Sequence, residues 1–159
     1  MRNFSNVREV RDYFKTINLH HLTSSMYLFV DKTGEYLIVE GDSLIIGNDD
    51  IFTLSNFYPS QTANQDEVQI PFFHNGKTYI KNNPLKADFQ TCSNVMSNLQ
   101  QGFTHYSSMH DLSDGSIKIH HFHNYNDAVS FNLTSELSQP AYEFILPELF
   151  SKDSEGYFF

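Results

Sequence analysis

The chain has 159 residues, 40% of them hydrophobic and 15% aromatic, with 15 Phe, 9 Tyr and no Trp. That much ring surface excludes a disordered chain, because burying it supplies the area that disordered sequences lack. Lys+Arg number 10 against 19 Asp+Glu, a formal charge of −9, which excludes a grip on nucleic acid built from a basic patch.

The single cysteine, Cys92, leaves no internal disulfide and fits a reducing compartment. Charged residues interrupt the chain from Arg2 through Lys15, so no signal-peptide pattern is expected. No apolar run reaches the ~20 residues of a membrane helix. The expected setting is cytoplasmic, with no membrane partner.

The first expected element is a helix from Asn6 to Ile17. Val7, Val10, Phe14 and Ile17 recur at helical spacing, and Asn6 with Glu9 forms a capping pattern. Arg8 and Asp12 stand one turn apart and are expected to pair. A strand follows from Ser25 to Asp31, then a turn through Gly34, a returning strand from Tyr36 to Glu40 and a third from Leu44 to Ile46. Strands this apolar are expected to be covered on both faces.

Asn48 to Tyr58 has no clear period. Val68–Phe73 and Thr78–Ile80 flank His74-Asn75-Gly76-Lys77, which reads as a hairpin because Asn-Gly favours a tight turn. The central helix is expected to open at Pro84, bury Leu85, Phe89, Cys92, Met96 and Leu99, and stop at Gly102. Cys92 then reads as a core thiol.

The last third reads as a meander. Phe103–Leu112, Ser116–His123 and Ala128–Thr134 are strands, and Pro140 opens a final helix over Ala141–Phe150 that Pro147 kinks or ends. The expected fold is thus α+β: one domain over 1–159, its mostly antiparallel sheet packed against a central helix, with helices at both ends. One sheet should gather Leu28, Val30, Ile38, Phe131 and Leu133 against the central helix.

Histidine supplies the candidate chemistry. There are 8, and His120, His121 and His123 cluster. On a strand, His121 and His123 would share a face with Ile117 and Ile119, while His120 points away. Val129, Phe131 and Leu133 would join that face only with an odd-length hairpin loop. Two imidazoles there could hold a divalent metal or touch a polar ligand, or simply be satisfied at the sheet end.

Gly115, His121, Phe122, His123 and Asp127 approximate the first metal motif of the cupin family, with Asp127 where that family has Glu. His21-Leu22-Thr23 and His105-Tyr106-Ser107 resemble the paired motifs of two-histidine phosphoesterases, whose histidines exchange protons and whose hydroxyls bind phosphate.

The order of elements resembles a small sensor domain. A helix, the hairpin of Met26–Val30 and Tyr36–Val39, a helix ending in Gly102-Phe103, and the closing strands Gly115–Ile119 and Ala128–Thr134 are similar in layout to PAS and GAF domains, and to the signal-binding half of LuxR-type regulators. That resemblance implies a small ligand held between sheet and helices, with His121, His123, Tyr27 and Phe131 lining it. No cofactor is specified. The functional expectation is a non-catalytic ligand-binding or regulatory domain. The alternatives are a small acidic protein that masks a basic partner surface, and a histidine-based phosphoesterase or metal-binding protein. Homodimerisation stays open.

Overall fold

In the computed structural model, which describes residues 4–22, 24–83, 86 and 88–151, the first helix begins as its cap dictates. The Asn6 side chain accepts the Glu9 N–H at 3.0 Å, and the Glu9 carboxylate accepts the Ser5 N–H at 2.8 Å. Helix α1 spans Val7–Phe14. Arg8 does not pair with Asp12. Its guanidinium forks onto Glu35, Nη2 to Oε1 at 2.5 Å, and that bond holds the Glu35 carboxyl below the usual range. Asp12 instead meets Arg11 and Lys15.

The chain divides into two compact units, Met1–Gln69 and Ile70–Phe159. The first holds a 3-stranded antiparallel sheet in the order β1 (Met26–Val30), β2 (Tyr36–Glu40), β3 (Ser43–Gly47). The turn between β1 and β2 uses Gly34 at φ 83°, a region glycine enters without a Cβ penalty. One sheet face carries Leu37 and Val39, which pack with Val7 and Val10 of α1, ringed by Phe14, Phe29, Leu44 and Ile46. Each such aliphatic chain, fully buried, contributes roughly 1.5–3 kcal/mol.

Period 2 sends Tyr36, Ile38 and Glu40 to the opposite face. Tyr36 stacks on Phe52 at 4.2 Å and donates its hydroxyl to Asp49 at 2.5 Å. Every residue of β2 is buried, as an apolar strand covered on both faces requires.

The second unit opens on a correction. Pro71–Asn82 is a helix, α2, not a hairpin. Pro71 suits its first turn, where no N–H is needed. Phe73 and Gly76 fall on one buried face. A Cβ on Gly76 would come within 2.1 Å of the Leu99 side chain, so this glycine serves helix contact rather than a turn.

Leu99 belongs to α3, Phe89–Leu99, which is capped by Asp88 accepting the Thr91 N–H at 2.7 Å. The expected start at Pro84 and Leu85 lies outside the described residues. Cys92 is exposed, and Ser93 takes the buried position beside it, so the thiol is not in the core.

The second sheet, also 3-stranded, is β4 (Tyr106–Asp111), β5 (Ser116–His121), β6 (Val129–Asn132), all antiparallel. Ile117 pairs with Phe131 and Ile119 with Val129, the register expected from the apolar row. Phe131 and Leu28 therefore belong to separate sheets, not to one. β6 runs straight into α4, Leu133–Leu137. The expected final helix over 141–150 reduces to one 3-10 turn, Leu146–Leu149, because Pro147 would fall in the interior of the longer helix, where its missing N–H and its ring break the ladder, but is tolerated at the start of this turn. The architecture is α+β. No helix among the described residues is long and apolar enough to cross a membrane.

Candidate functional site

The two central strands, β2 and β5, each end in buried polar side chains. Three buried side-chain atoms have no hydrogen-bond partner among the described residues: Glu40 Oε2, His120 Nε2 and His121 Nδ1. All lie in the last two residues of a central strand. An orphaned buried polar group costs about 1–3 kcal/mol, so each such atom calls for a role.

In the second unit, His120 is 4% exposed and His121 5%. His120 Nδ1 donates to the Asp127 carbonyl at 2.6 Å, since a carbonyl only accepts. In the neutral ring Nε2 is then an acceptor with nothing donating to it. Ser107 stands across from His120 in the register and is buried too. Its Oγ meets the Tyr125 hydroxyl at 3.1 Å, and Ser93 of α3 donates to the Tyr125 carbonyl at 3.3 Å. The Tyr125 ring lies 5.5 Å from His120. Lys118, in the same row as His120, sits over the Phe89 ring at 4.7 Å, so this row faces α3. His121 points to the opposite face, where Phe150 covers its ring at 5.4 Å.

His121 and His123 do not share a strand face. β5 stops at His121 because Phe122 takes φ 50°, a left-handed conformation that costs a non-glycine residue roughly 1–2 kcal/mol. The Phe122 N–H held by the His105 carbonyl at 2.7 Å secures that bend. His123 then lies in the loop, stacked on Phe122 at 4.1 Å, with Nε2 donating to the Gln101 carbonyl at 2.8 Å.

Phe131 is half-buried on β6 and stacks on Phe144. Tyr27 belongs to the first unit, 49% exposed on β1, stacked along Phe29. The structure thus gathers His121, His123 and Phe131 in one unit and leaves Tyr27 in the other.

No group of three or more His, Cys, Asp or Glu side chains arranged to hold a metal occurs among the described residues. Ser107 offers no hydroxyl to a phosphate, because it is buried against Tyr125, while His105 is exposed just before β4. The side chain of His21 and all of Thr23 lie outside what is described.

In the first unit, Glu40 is 3% exposed. Its Oε1 accepts the Ser60 N–H at 2.6 Å. Its cross-strand partner is Met26. Met26 also lines a cavity of about 380 Å³ with Ser24, Asn56, Phe57 and Tyr58. The Tyr36 phenol, on the same face, is pushed up to about 12 by burial, reinforced by its bond to Asp49. Sequence reasoning missed Glu40, which ends an apolar strand and looked like the lip of a turn. It also missed Ser107 and Tyr125, whose partnership depends on how β4 meets the loop after β5.

Compared with known proteins, the chain matches no family, no curated protein and no solved structure.

Proposed function

We propose that the chain is a non-catalytic ligand-binding protein with a sensory or regulatory role. One observation carries the reading: three buried polar atoms without a partner among the described residues all sit at the ends of the two central strands. His120 Nε2, opposite the Nδ1 that faces the Asp127 carbonyl, and Glu40 Oε2 can each accept a hydrogen bond. Both suit a ligand that donates. A catalytic role has less support, because Ser107 and His120 are buried and the Ser107 hydroxyl is engaged by Tyr125 rather than by an imidazole.

Denaturing the protein, dialysing it and refolding it removes any small molecule it carries. Protein as purified should melt higher than protein so stripped, since a ligand that binds only the folded state adds RT ln(1 + [L]/Kd) to stability. A heat-released small-molecule extract of the purified protein should restore the difference. Identical melting before and after stripping would overturn the reading.

A further inference from the structure

We propose that the free edge of β1 takes up an extended, basic segment of a partner protein as a fourth strand of the first sheet. None of the buried polar atoms that carry the ligand-binding reading takes part.

Each sheet has two edge strands, β1 and β3 in the first unit and β4 and β6 in the second. An unpaired edge is a template for a further strand unless charge, proline, a bulge or a cover blunts it. β4 ends in His110 and Asp111, and β6 has four residues and runs straight into α4. β3 is half-buried throughout. β1 reads Met-Tyr-Leu-Phe-Val, with no charge and no proline, and its register with β2 runs without a bulge. Leu28 and Val30 are 45% and 44% exposed.

The ladder fixes which backbone groups of β1 are free. The Asp31 N–H donates to the Glu35 carbonyl at 3.0 Å, so Asp31 turns toward β2. Antiparallel pairs alternate, so Phe29 and Tyr27 also bond β2, while the N–H and C=O of Leu28 and Val30 point outward. No strand among the described residues lies on that side.

Beside this edge runs a groove of about 450 Å³, lined by residues 28–32 and by the start of α1, including Val7 and Val10. Phe29 shares the α1 face of the sheet with Leu37. A residue of an added strand opposite Phe29 would share that face and enter the groove, which calls for an apolar side chain. Its two neighbours would lie on the other face against Leu28 and Val30. There the aliphatic stems of Lys or Arg cover apolar surface and leave their charge in water.

Charge selects the partner. The groove holds one carboxylate, Asp31, and one ammonium, Lys32, so the surrounding unit sets the sign. Met1–Gln69 carries ten Asp+Glu against five Lys+Arg. A basic segment is drawn to that excess. A second copy of the chain would bring the same negative excess to the edge and be repelled. Main-chain bonds then supply the affinity, and the alternation of basic and apolar residues supplies the specificity.

The test titrates the full chain with a short peptide of alternating Lys and Val, following the amide resonances and hydrogen exchange of Leu28 and Val30. The peptide should shift both resonances and slow exchange at both amides. It should bind at least about tenfold tighter than its Glu–Val counterpart, with the lead shrinking as salt is added. Leu28→Pro removes one outward N–H and leaves the bonds to β2 in place, so it should weaken binding at least about tenfold. Should Leu28→Pro fail to fold, Val30→Lys decides instead: a like charge at this exposed position should weaken the Lys–Val peptide and strengthen the Glu–Val one.

No binding at millimolar Lys–Val peptide would overturn the proposal, as would equal affinities for the two peptides or binding that leaves the Leu28 and Val30 amides unprotected. Protection of these amides without peptide, rising with protein concentration, would overturn the assignment to a partner and give the edge to a second copy of the chain.

Discussion

β2 and β5 occupy the same place in their sheets, and their surroundings differ. Both are central strands of 3-stranded antiparallel sheets. β2 is buried at every residue, between α1 on one face and the segment carrying Phe52 on the other. β5 is only partly buried until its last two residues, His120 and His121. The first unit thus draws its stability from a strand enclosed on both sides. The second encloses mainly the polar end of its strand. The difference teaches that a buried polar terminus does not require a fully buried strand, since the bend at Phe122 and the loop through Tyr125 and Asp127 suffice to bury the histidines.

The sharpest way to break this comparison is to truncate matching positions. Leu37 is 0% exposed, and Leu37→Ala should cost about 2–5 kcal/mol in urea denaturation, the range for a core leucine. Ile117 of β5 is half-buried, so Ile117→Ala should cost roughly half as much, about 1–2 kcal/mol. Equal losses would mean that the two strands contribute alike.

A second contrast sets one glycine from each unit against the other. A Cβ on Gly47 would fall 2.2 Å from the Tyr36 ring. That ring is clamped by Phe52 and Asp49, so Gly47→Ala should cost about 1–3 kcal/mol, as overpacking does. A Cβ on Gly76 meets the end of the Leu99 side chain instead. A flexible side chain yields more readily, and alanine favours the helix by roughly 0.5–1 kcal/mol, so Gly76→Ala should change stability by no more than about 1 kcal/mol. Thermal melts of both variants check the order.

A further contrast concerns pH. The Tyr36 phenol is raised from its ordinary 10 to about 12 in the folded protein. The fold therefore favours the protonated phenol. That contribution is complete below pH 10 and is lost as pH rises from about 10 to about 12. Tyr36→Phe should flatten this alkaline loss in denaturation curves taken at several pH values. An unchanged slope would place its origin elsewhere.

Local signals carried much of the fold. The Asn6 cap, the Gly34 turn and the register of Ile117 and Ile119 against Phe131 and Val129 each depend on residues close in sequence or on strict period 2. The same local reading misplaced α2. Asn75-Gly76 is a turn signal in isolation, but Gly76 is there to admit Leu99 from another helix, which only packing reveals.

The candidate site was less legible. The histidine cluster was visible as composition, yet the left-handed Phe122 that separates His121 from His123 has no sequence signature, because phenylalanine rarely adopts it. Glu40 was invisible for a related reason: its burial depends on Ser60 returning to the end of β2.

Native mass spectrometry of freshly purified protein tests the central claim most directly, because it detects a retained small molecule whatever its identity. The account predicts a species heavier than the 18.4 kDa chain by one small molecule, released on collisional activation. The bare chain alone, from protein never exposed to denaturant, would contradict it.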